Sequence, residues 1–189
     1  MDAAGYILAL LAIITGLAIS DMVVSLHGLL ANRRCVRWDW LTLVAAAFIF
    51  LQIVVSWGIS YRAFDGLPQG PWVWEFVLSL CQTIALYLAA RAVLPDQVQL
   101  GERVDLAAHY AFISRYFWAS LSVTYALYIM FGIMFGGIER LSANWLPIVG
   151  LVVIIVLAIW PDRKLHRLAV PALFALLCVA RLPGRLLVG

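Results

Sequence analysis

The residues that could do chemistry in this chain are few, and each sits where a polar group is costly. Asp21 lies inside a long apolar run, with Ser25 one helical turn further on and His27 near the end of the run. Gln52, Ser56 and Ser60 repeat at a spacing of four in a second run, and Glu75, Ser79, Gln82 and Thr83 share one face of a third. Ser120, Thr124 and Tyr128 repeat at four in a fourth. In hydrocarbon such side chains mark a substrate or ion path, or they bond across helices as glue. As a path, Glu75 is the outer entry, Gln52 and Gln82 are midplane contacts, Asp21 is the inner site and His27 the exit. Ser25, Ser56 and Ser79 line the way. An acidic interior without a balancing base attracts protons or inorganic cations in a low dielectric. As glue, Asp21 pairs with an arginine such as Arg91 or Arg115. Glu75 then pairs with Arg62 and gains from its helix dipole.

Metal chemistry is a weaker expectation. His27, His109 and His166 all fall toward one end of the apolar runs and are the candidate ligands, with Asp21 nearby. No two of them have the short spacing of a metal motif. Lys164, the single lysine, lies between runs, so a Schiff base inside a bundle is unavailable. HExxH, GxSxG and phosphate-loop motifs are absent, and no cofactor is expected. Cys35, Cys81 and Cys178 have no redox or metal spacing.

The elements that must position these residues follow from composition. Of 189 residues, 65% are hydrophobic and 12% charged, against about 25% charged in a soluble domain. That excludes a soluble enzyme, a secreted disulfide scaffold and a disordered chain. The net charge of +3 comes from short basic clusters between apolar runs, which excludes a nucleic-acid partner. A single transmembrane domain over residues 1–189 is expected, with the lipid bilayer as its first partner.

Six runs approach the length of about 20 residues that a helix needs to cross hydrocarbon. They are Ala4–Leu30, Trp40–Tyr61, Trp72–Leu94, Tyr116–Gly136, Trp145–Trp160 and Leu168–Val188. Their polarity does not alternate, so a polytopic all-α bundle of six spans is expected rather than a barrel. Breaks fall at Asp65–Pro71, Pro95-Asp96, Gly136-Gly137 and Pro161-Asp162, and tryptophans and tyrosines gather at the ends. Asp105 is expected to cap an inner extension of the fourth helix.

Nine basic residues fall on one side of this topology: Arg33, Arg34, Arg37, Arg91, Arg103, Arg115, Arg163, Lys164 and Arg167. Four, Arg62, Arg140, Arg181 and Arg185, fall on the other. The positive-inside rule puts the nine in the cytoplasm and the N-terminus outside. Arg181 and Arg185 interrupt the last run, so the alternative is five spans and an interfacial C-terminal segment. The fifth and sixth runs carry almost no polar residues and are expected to face lipid or another subunit, leaving the first four to build the polar interior.

Two small-residue patterns suit close helix packing: Ala12, Gly16 and Ser20 on one face, and Gly132 with Gly136 as GxxxG. The second is expected to support a homo-oligomer. Gly16–Asp21, Arg33-Arg34 and Val36-Arg37-Trp38-Asp39-Trp40 resemble a set of uncharacterised bacterial small multi-span membrane proteins. The resemblance covers about the first third of the chain, implies a bacterial inner membrane and brings no activity. Three functions are thus in play. A channel or transporter for protons or inorganic cations comes first. A non-transporting scaffold or regulatory subunit follows, and a metal-dependent membrane enzyme is last.

Overall fold

Run length and punctuation set the helices. A computed structural model describes residues 3–64, 72–96, 101, 103–143 and 145–181, with side chains described for all but residues 3, 135–143, 180 and 181. The helices are α1 (Ala3–Ala31), α2 (Trp40–Phe64), α3 (Val73–Val93), α4 (Leu106–Ala143), α5 (Leu146–Ile159) and α6 (Arg163–Arg181). Between them stand two short strands, β1 (Val36–Arg37) and β2 (Val104–Asp105), paired in parallel. The all-α bundle expected from the sequence is what forms. The Asp65–Pro71 break and Arg185 lie outside the described residues.

Four of these helices, α1 to α4, are long and apolar enough to cross a membrane. At 1.5 Å per residue α4 runs about 57 Å, well beyond a hydrocarbon core of about 30 Å. Its first turns are packed within the bundle, where Leu106 and Tyr110 are buried. Gly136-Gly137 does not end it, contrary to expectation, and the helix continues to Ala143. A helical glycine costs only about 1 kcal/mol relative to alanine, so without a proline or a cap the pair cannot stop a helix. α5, with 14 residues, reaches about 21 Å. α6 begins at Arg163 rather than Leu168, because the Asp162 carboxylate accepts the Lys164 backbone N–H at 3.0 Å and starts the helix there.

The helices close a ring in which α1 packs on α3, α3 on α4, α4 on α5, α5 on α6, α6 on α2 and α2 on α1. α2 also meets α3 and α4 across the ring. Phe48, Ile49 and Ile53 of α2 form its centre, with Phe117, Trp118 and Leu121 of α4 and Ile154 and Leu157 of α5. In lipid this packing is driven by dispersion and close fit more than by the hydrophobic effect.

The inward face of α1 is Ala4, Leu11 and Ala18, recurring every seven residues, with Met22 and Leu29. The expected packing face does not pack against the described residues. Ala12, Gly16 and Ser20 are exposed, and a Cβ on Gly16 would meet nothing within 4 Å. Gly132 is likewise open, while the side-chain surroundings of position 136 lie outside the described residues. The close approach falls instead at Gly150, where a Cβ would stand 3.0 Å from the Tyr125 ring. That lack of a side chain lets α5 lie against α4.

Candidate functional site

Helices α2 to α6 line a partly open cavity of about 120 Å³. Its polar wall is Gln52 and Ser56 from α2, Gln82 from α3, and Tyr125 and Tyr128 from α4. Its apolar wall includes Pro147 and Gly150 of α5 and Leu173 and Leu177 of α6. Gln82 Nε2 donates to Ser56 Oγ at 3.4 Å, and the Tyr125 hydroxyl donates to Gln52 Oε1 at 3.4 Å. Both distances lie beyond the usual range for such pairs, so the two bonds are weak. No charged side chain lines this cavity among the described residues.

The arrangement corrects two expectations. α5 and α6 do not simply face lipid. α5 packs on α4, α6 packs on α2, and together they supply one wall of the cavity. The polar lining belongs to α2 through α6, and among the described residues none of α1 takes part in it.

The residues expected along one path are thereby divided. Gln52, Ser56 and Gln82 come together in the cavity. Ser79 is buried, and its backbone carbonyl accepts the Thr83 hydroxyl at 2.8 Å. Glu75 is also buried, but it turns back on its own helix and accepts the Trp72 backbone N–H at 2.9 Å. That capping bond, rather than the expected pair with Arg62, is its described contact. His27 is exposed and Ser25 half-buried on α1.

Asp21 lies between α1 and α3, away from the cavity. Its Oδ2 accepts the Tyr87 hydroxyl at 3.0 Å and lies 3.7 Å from Arg91 Nε. Arg91 also reaches Asp96 at 3.0 Å. Of the two readings weighed for Asp21, the contact with Arg91 is the one formed. Tyr87 stands four residues before Arg91, which puts both on one face of α3.

The histidines stay apart. Among the described residues no three of His, Cys, Asp and Glu are placed to hold a metal ion. His109 Nε2 lies 3.1 Å from the Ala92 carbonyl. His166 is fully enclosed, at 1% exposed. Its Nε2 sits 3.1 Å from the carbonyls of both Leu157 and Trp160, so this nitrogen carries the proton. Nδ1 is then the acceptor for the Tyr110 hydroxyl at 2.9 Å, and that hydroxyl in turn accepts Trp118 Nε1–H at 3.0 Å. Every donor in this chain has an acceptor when the imidazole is neutral. The sequence reading does not contain this network. Its signal is the spacing of His166, Val170, Leu173 and Leu177, all buried along α6.

The loops after α1, α3 and α5 meet at one end. Val104 N donates to the Cys35 carbonyl at 3.1 Å, and Gly101 N to Asn32 Oδ1 at 3.0 Å. Asp105 caps α4 as expected, accepting Ala107 N at 2.9 Å and Ala108 N at 3.1 Å. The Ala108 N–H leads in holding its carboxyl below the ordinary range, with Ala107 and Arg37 adding to the effect against desolvation. Asp39 is buried and bound to Arg163 at 2.7 Å. The Thr42 hydroxyl stands 3.1 Å from both Asp39 Oδ2 and the Leu106 carbonyl, one proton shared between two acceptors.

No protein-family model matches this chain, and neither a curated protein nor a solved structure matches it.

Proposed function

We propose that this membrane bundle conducts or carries a small uncharged solute through the cavity between α2 and α6. The observation behind this reading is the lining: two amides, hydroxyls and aliphatic side chains, with no charge. Such a wall exchanges hydrogen bonds with a polar neutral molecule and gives an ion nothing to offset its desolvation. The cation route expected from the sequence loses its inner site, because Asp21 is engaged by Tyr87 and Arg91 outside the cavity. In this reading the basic end faces the cytoplasm of a bacterial inner membrane, the N-terminus lies outside, and all six helices cross. Five spans with α6 along the interface is the alternative.

Stopped-flow light scattering on liposomes containing the full chain tests the proposal. Glycerol or urea permeation should exceed that of protein-free liposomes, and Ser56→Leu, which fills the cavity, should bring it down to that level. Proton or potassium flux with no solute permeation would overturn it.

A scaffold is the second reading. The open faces of α1 at Gly16 and of α4 at Gly132 favour it, since small residues left bare within the chain suit contact with another copy. Gly132 and Gly136 are the proposed homo-oligomer contact. Replacing both with leucine should move the native mass toward monomer, and an unchanged mass counts against that contact.

A further inference from the structure

We propose that a groove at the basic end is a binding site for the phosphate headgroup of an anionic phospholipid, separate from the cavity. The groove lies between the turn after α1 and the segment leading into α4. Arg34, Arg37 and Arg103 line it, with Asp105 as the single acidic side chain in its wall among the described residues. Its volume of about 500 Å³ admits a headgroup. Asp105 adds little repulsion, because Arg37 lies 3.1 Å from it and two backbone N–H groups already bind its other oxygen. Arg34 and Arg103 are exposed and have no acidic partner among the described residues. Two guanidinium groups thus stand ready on either side of the groove.

The floor is fixed. β1 and β2 pair across it, and the Val104–Cys35 and Gly101–Asn32 hydrogen bonds tie the two arms together. A guanidinium fork matches the paired oxygens of a phosphate, and holding the arms beforehand reduces the ordering cost of binding. Depth is indicated independently by Trp38 and Trp40, which are exposed beside the same loop, as aromatic residues at a membrane surface are. Basic pockets at that depth attract anionic lipid by about 1 kcal/mol for each basic residue. Charge and depth together favour a lipid headgroup over a soluble anion.

Native mass spectrometry of the full chain in a neutral detergent, titrated with short-chain phosphatidylglycerol or phosphatidylcholine, tests this. Phosphatidylglycerol should bind at least about tenfold more tightly, as two lost contacts of that size imply. Arg34→Gln with Arg103→Gln should abolish the preference. Lys164→Gln, at the same end but outside the groove, should leave it intact. Should the double variant fail to fold, Arg103→Gln alone should still weaken the preference several-fold. Equal binding of the two lipids by the native chain would overturn the proposal. So would an equal loss in Lys164→Gln, which would mean diffuse charge, or complete displacement by millimolar inorganic phosphate, which would mean a soluble anion. Solute permeation does not enter these readings, so the cavity proposal can fail without touching this one.

Discussion

Asp39 and Arg163, 124 positions apart, meet through a 2.7 Å contact between carboxylate and guanidinium. The carboxylate is 8% exposed and the guanidinium side chain 47%, so the acid is the buried partner. The contact ties the loop before α2 to the start of α6 and closes the ring of helices at that end. Arg163→Ala leaves a buried carboxylate with the Thr42 hydroxyl alone. The expected loss is at least about 1–3 kcal/mol, the cost of leaving a buried polar group unsatisfied, which is larger when the group is charged. Thermal unfolding in detergent should show a clear fall in midpoint, with Arg163→Lys between the two. Arg37→Ala, which removes the exposed partner of Asp105, should cost less.

The His166 chain should carry fold stability. Its Nε2–H faces the Leu157 and Trp160 carbonyls and its Nδ1 faces the Tyr110 hydroxyl, in a site 1% exposed. Tyr110→Phe removes the hydroxyl that joins Nδ1 to Trp118 Nε1–H and leaves both without that partner. The expected loss is about 1–3 kcal/mol, the cost of buried polar groups left unsatisfied, read as a fall in the unfolding midpoint in detergent. A midpoint unchanged in Tyr110→Phe would contradict this network.

How much of this could be read from the sequence depended on whether the determining contact was local. Apolar run length gave the helices, and the cap at Asp105 needed only its own next residues. Gln52 and Gln82 were placed at similar depth, and they do share a cavity. The inward face of α1 was not legible. Both faces are apolar, so hydrophobicity does not separate Leu11 and Ala18, which pack, from Ile13 and Leu17, which are exposed. In lipid the exposed face has no reason to be polar. The Asp39–Arg163 contact was hidden for a different reason, since no local pattern encodes a partner so distant in sequence. Gly136-Gly137 misled because a stop needs a cap or a proline as well as a weak propensity.

The two glycines should respond in opposite ways. At Gly132 a methyl group meets nothing within 4 Å, and alanine removes backbone freedom from the unfolded chain. Gly132→Ala should therefore be neutral or stabilising by up to about 1 kcal/mol. At Gly150 the same methyl lies 3.0 Å from Tyr125 Cε1, a ring that lines the cavity. Gly150→Val should cost about 1–3 kcal/mol, as overpacking does, and should lower solute permeation by moving that ring. Equal effects at the two positions in unfolding assays would contradict this packing.

Asp21 provides the sharpest separation between a neutral-solute cavity and a cation route. Asp21→Asn removes the charge that Arg91 faces but keeps an oxygen able to accept the Tyr87 hydroxyl, so the contact between α1 and α3 should persist. Arg91 retains Asp96 at 3.0 Å, so its own charge is not left without a partner. Stability should change little, because the Arg91 and Asp21 side chains are 45% and 36% exposed and partly open pairs contribute weakly. Glycerol permeation through the cavity should stay at the native rate, whereas Ser56→Leu abolishes it. If Asp21→Asn instead lost permeation while its unfolding midpoint held, Asp21 would belong to the path. The route would then run between α1 and α3 rather than through the cavity lined by α2 to α6.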